Sequence, residues 1–96
     1  MGILGIFKRS AKNLTDDERR SALLKNGRMT DGTIIDSEIN GDGDEVIYFI
    51  YTINGVDFES SDRLTEIQRL DRVSYAPGAK VSIRFDTRNH GNAIVV

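Results

Sequence analysis

The stretch Val46-Ile47-Tyr48-Phe49-Ile50-Tyr51-Thr52-Ile53-Asn54-Gly55-Val56-Asp57-Phe58 decides the fold. Its first eight residues are mostly β-branched or aromatic, the side chains that suit a pleated, packed surface. Asn54-Gly55 then reverses the chain. A type I′ turn needs φ > 0 at both central residues, which Asn and Gly reach at the least steric cost. On the return strand Val56, Phe58 and Ser60 alternate with Asp57, Glu59 and Ser61. The first strand is apolar on both faces, with Val46, Tyr48 and Ile50 opposite Ile47, Phe49, Tyr51 and Ile53. That pattern predicts a central strand covered on both sides, in part by an N-terminal helix.

The helix is expected over residues 15–26. Thr15-Asp16-Asp17-Glu18 reads as a capping box, Leu14, Ala22, Leu23 and Leu24 as its buried stripe, and Asn26-Gly27 as a left-handed stop. Residues 29–39 follow as a strand with Thr33, Ile35, Ser37 and Ile39 on one face, ending in the turn Asn40-Gly41-Asp42-Gly43-Asp44. Beyond the hairpin, Leu64, Ile67, Leu70 and Val73 recur about every three residues, which predicts a short helix over 62–73 capped by Ser61 or Asp62. Tyr75-Ala76-Pro77-Gly78 is a type II turn, with Pro at its first central position and Gly at its second. Val81, Ile83 and Phe85 point inward from a fourth strand, residues 86–92 turn, and Ala93-Ile94-Val95-Val96 closes as a fifth. The order is β-β-β-α-β-β behind a helix. A mainly β, small five-stranded barrel of OB-like order is expected, with an SH3-like small barrel as the alternative. Residues 1–14 read as an arm and 15–96 as one domain.

Of 96 residues, 39% are apolar and 29% charged, the balance of an ordinary globular chain. There is no cysteine, which removes disulfides, thiol nucleophiles and thiolate metal sites and suits the cytoplasm. No apolar run approaches the ~20 residues of a spanning helix. The N-terminus places its apolar residues before its positive charges, unlike a secretory signal, and Ile6 breaks the myristoylation pattern. The net charge of −2 is uneven: residues 1–28 carry seven Lys/Arg against three acids, and residues 29–96 carry six against twelve. An acidic body repels phosphate backbones and anionic headgroups.

No catalytic constellation is visible. The single histidine, His90, lies in the polar turn Arg88-Asn89-His90-Gly91-Asn92, which reads as solvated, and the pairs Asp57/Glu59 and Asp42/Asp44 read as water-facing. The chain is therefore expected to be no enzyme and to need no cofactor. Asp36, Asn40, Asp42 and Asp44, with Gly41 at the sixth position, resemble the start of a calcium loop; Ile47 stands where its bidentate Glu belongs. Tyr48, Phe49, Tyr51 and Phe58 with Arg63, Arg69, Arg72 and Arg84 are the candidate stacking and basic groups of a single-strand nucleic-acid binder. Ile3, Leu4, Ile6 and Phe7 followed by Lys8 and Arg9 suit a protein or an anionic membrane surface, a peripheral attachment. The reading favoured is an interaction module whose partner is a protein or a membrane-associated complex, with Asp57/Glu59 and Lys80/Arg84 as further exposed contact faces.

Gly32-x-Ile34, then Tyr48-x-x-Tyr51-x-x-x-Gly55-x-x-Phe58, then Tyr75-x-x-Gly78-x-x-Val81-x-Ile83-x-Phe85-Asp86, resembles a widespread family of functionally uncharacterised bacterial domains. The likeness spans about residues 22–96. Phe85 replaces the family's tyrosine and Thr87 its proline after the aspartate. The resemblance implies a small β domain, often carried beside membrane helices, and brings no catalytic residue.

Overall fold

The computed structural model describes residues 15–96; the arm read at residues 1–14, and Leu14 with it, lies outside the described residues. Helix α1 (Asp16–Asn26) leads into strands β1 (Arg28–Ile39), β2 (Glu45–Ile53) and β3 (Val56–Arg63). The short helix α2 (Glu66–Arg69) follows, then β4 (Lys80–Asp86) and β5 (Asn89–Val95). The strands form one antiparallel sheet in the order β3-β2-β1-β4-β5. It curls until β3 and β5 face each other, a nearly closed barrel with the element order read from the sequence.

The barrel bends around β1. Its first half pairs with β4, from Arg28↔Phe85 to Thr33↔Lys80, and its second half with β2, from Gly32↔Tyr51 to Ile39↔Glu45. Gly32 stands where the two ladders overlap. A Cβ there would lie 2.8 Å from both the Ile50 carbonyl oxygen and Ile83 Cγ1, so only glycine lets the strands approach. A bulge between Ile34 and Asp36 then inserts a residue. It corrects the expected common face: Thr33 pairs with the exposed Ile50, whereas Ser37 pairs with the buried Ile47 and Ile39 follows it. The buried residue of this region is Ile34, and Ile35 is exposed.

Ile34, Ile47, Phe49, Ile83, Ala93 and Val95 are fully buried and form the centre of the core, with Tyr51, Leu64 and Phe85 around them. On β2 the expectation of two covered faces fails. Ile47, Phe49 and Tyr51 are inside, but Val46 and Tyr48 are half-buried and Ile50 is exposed. Helix α1 packs on β4 and β5 instead. The Asn54-Gly55 turn is as read, with φ of 52° and 80° and Ile53 opposite Val56. So is the turn around Pro77: Gly78 has φ 93° and the Ala79 N–H donates to the Ala76 carbonyl at 2.9 Å.

Helix α1 starts on the capping box. The Glu18 N–H donates to the Thr15 hydroxyl at 3.2 Å, and the Thr15 N–H to the Glu18 carboxylate at 3.0 Å. Its end differs from expectation. Gly27 is extended, with φ −75°, and serves space rather than handedness: a Cβ would sit 2.5 Å from the Leu23 carbonyl oxygen. Among the described residues of the expected stripe only Leu23 is buried; Ala22 and Leu24 are exposed. The segment 62–73 also departs. β3 runs on through Asp62 to Arg63, and the four-residue α2 is capped by Thr65, whose hydroxyl accepts from the Gln68 N–H at 3.1 Å. β5 begins at Asn89, so the polar turn shrinks to two residues between the strands.

Candidate functional site

The gap between β3 and β5 is closed by side chains. Arg19 and Arg20, adjacent on α1, reach across it because the helix lies over β4 and β5. Arg19 donates to the carbonyls of Ala93 (2.9 Å) and Ser61 (3.3 Å) and to Asn92 Oδ1 (3.1 Å). Arg20 donates to the Asp62 carboxylate at 2.5 Å and to the Val95 carbonyl at 3.1 Å. Asp62 also accepts from the N–H groups of Val95 (3.0 Å) and Arg63 (2.9 Å), and Gln68 donates to the Val95 carbonyl at 3.0 Å. Burial pushes the Asp62 carboxyl up, against the pull of Arg20, the Val95 N–H, Arg19 and the Arg63 N–H. No buried side-chain nitrogen or oxygen among the described residues lacks a partner. With its donors and acceptors spent on one another, this cluster closes the barrel and offers no free group for chemistry. It was not foreseen from the sequence, where Asp62 reads as a helix cap.

The acidic loop does not assemble a ligand set. Asn40 Oδ1 accepts from the N–H groups of Asp42 (2.9 Å) and Asp44 (3.0 Å), which shapes the turn. Asp44 pairs with Arg63 at 2.9 Å, and Asp36, on β1, accepts from the Ser37 N–H at 2.8 Å. Among the described residues no three His, Asp or Glu side chains converge as a metal site would require.

Of the aromatic candidates, Phe49 and Tyr51 are buried and stack in a row with the half-buried Phe58, ring centres 5.8 Å apart. Tyr48 is on the outer face, where loss of water and the neighbouring Glu38 raise its phenol. Arg63 is held by Asp44 and Asp16, and Arg84 donates to the Gly27 carbonyl at 3.1 Å; Arg69 and Arg72 are exposed. His90 differs from its reading as a solvated turn residue. It lies on β5, half-buried, its ring edge-on to Phe58 and Phe85 at 5.5 and 5.3 Å, while its carbonyl accepts from the Tyr51 hydroxyl.

Two surfaces on the described residues bear on a partner. A shallow trough of about 760 Å³ crosses the outer face of β2, β1 and β4, where Asp31 and Asp57 outnumber Lys80 among Thr33, Thr52 and Ser82. Asp57, Glu59 and Lys80 are exposed on this side and Arg84 is half-buried. The second is apolar. Of the expected inward edge of 62–73, only Leu64 is buried; Ile67 is 80% exposed, and Leu70 and Val73 are each 86% exposed. Gln68 takes the inward position because its amide satisfies the Val95 carbonyl. The periodicity was visible, but the helix itself takes in only Ile67 of its four residues. Ile3, Leu4, Ile6, Phe7, Lys8 and Arg9 lie outside the described residues. No helix among the described residues is long and apolar enough to cross a membrane. No family model matches the chain, and no curated protein or solved structure is significantly similar to it.

Proposed function

We propose that this protein is a non-enzymatic interaction module of OB-like order that docks a protein or membrane-associated complex through the row Ile67, Leu70 and Val73. The observation that carries this reading is the exposure of those three side chains, 80%, 86% and 86%, on one short connection. Three large apolar side chains left to water within seven residues of one connection mark an interaction surface. β1 pairing with both β2 and β4 supports the OB-like closure over the SH3-like one. The nucleic-acid reading has less support: Phe49 and Tyr51 are buried in the core, and the outer trough is acidic.

The test is site-specific photo-crosslinking in the native cell with the probe at Leu70, compared with a probe at Glu59. A defined protein adduct from Leu70 that disappears on Ile67→Glu, with the fold retained, is the expected result. Equal labelling from the two positions, or adducts with nucleic acid alone, would overturn the docking reading.

A further inference from the structure

At the end of the barrel where the β2–β3 and β4–β5 turns meet the start of β1 lies a recess of about 320 Å³. Its polar lining comes from Arg28, Thr30, Thr52, Asn54, Thr87 and His90, and no carboxylate lines it. The side chains of Arg28, Thr30, Asn54, Thr87 and His90 make no hydrogen bond among the described residues; Thr52 alone is engaged, donating to Asp57 at 2.6 Å. Neither ring nitrogen of His90 is buried without a partner, so both reach solvent while Phe58 and Phe85 fix the ring plane.

We propose that this recess binds a small phosphate-bearing anion. The guanidinium of Arg28 supplies two parallel N–H donors matched to two phosphate oxygens. The Asn54 amide and the hydroxyls of Thr30 and Thr87 donate to the remaining oxygens, and His90 adds a donor on a side chain that cannot swing away. Asn54 is held in place by its left-handed turn geometry, and β1 pairing with β4 holds Arg28 opposite Phe85. The site is separate from the apolar row and goes beyond the docking function.

The experiment titrates inorganic phosphate into the full chain at constant ionic strength, following backbone amides by NMR. Saturable shifts in the millimolar range are expected at Arg28, Asn54, Thr87 and His90. Arg28→Gln weakens the affinity at least about tenfold with the rest of the spectrum unchanged, and Arg28→Lys lies between. Arg88→Gln, in the same turn but outside the recess, leaves affinity unchanged. Acetate, with one charge and two oxygens, binds more weakly than phosphate. Absent or unsaturable shifts, equal affinity for acetate, or sensitivity to Arg88 rather than Arg28 would each overturn the proposal.

Discussion

A single carboxylate joins three elements. Asp62 takes hydrogen bonds from α1, β5 and its own strand neighbour, with its side chain only 7% exposed. Asp62→Ala leaves Arg20 without its counter-charge and the Val95 N–H without an acceptor, and is expected to cost about 3 kcal/mol in a urea titration. Two acids respond to pH in opposite senses. The donors on Thr15 hold Glu18 below its ordinary 4.5, so its stabilisation is complete above that value and lost as pH falls through the lowered one. Asp62 is raised above 3.8, so its contribution falls as pH rises through the raised value. Glu18→Gln should flatten the acid side of a stability–pH curve measured by thermal unfolding; an unchanged acid limb would count against the cap. Gly32→Ala forces a Cβ to 2.8 Å from a carbonyl and from a buried isoleucine, and should cost about 1–3 kcal/mol. The capping box and the Asn54-Gly55 turn were legible in the sequence because they depend on residues within a few positions. The role of Gly32 was not, since the atoms that crowd it come from two other strands.

At the scale of elements, the hairpin and α2 set a contrast. Asn54 sits at φ 52°, which proline cannot adopt, so Asn54→Pro should remove about 3 kcal/mol or more and disperse the register of β2 and β3. A native-like NMR spectrum for that variant would contradict it. Either side of α2, Leu70→Ser at its C-cap is expected to shift stability by less than about 0.5 kcal/mol, whereas Leu64→Ala should cost about 3 kcal/mol. The order of the elements followed from composition and turns. Their faces followed less well. The bulge after Ile34 adds a residue without a sequence signal, and it moves Ser37 and Ile39 to the other side. For α2 a signal existed: Thr65-Glu66-Ile67-Gln68 is itself a capping box, and it places the helix start after Asp62. Beyond Ile34, whose N–H and carbonyl still meet Ala79 and Gly78, β1 has no β4 partner, and the bulge with Asp36 and Glu38 guards that edge against another chain.

For the whole molecule, the ladder accounts for four of the barrel's five strand junctions, and side chains account for the fifth. Replacing Arg19 and Arg20 together by alanine should therefore speed hydrogen exchange at β3 and β5 while β1 and β2 keep their protection. Uniform loss across the sheet would show that the junction is not a separate cooperative unit. The apolar row and the basic recess lie outside this junction, so substitutions there should leave its exchange unchanged. Neither surface was legible from periodicity, because each depends on which side chains the closed barrel leaves turned outward.

The seam also bears on time. Arg19 meets Ala93 across 74 positions of chain, and Arg20 meets Asp62 across 42. The hairpin of β2 and β3 closes a loop of two residues. Loop-closure entropy orders these events: the hairpin can form in microseconds, whereas the arginine contacts wait until both of their strands are already placed. Contacts made last lie beyond the folding barrier, so weakening them accelerates unfolding and leaves the folding rate nearly untouched. The two arginines of α1 would then set the lifetime of the native state more than the speed of reaching it.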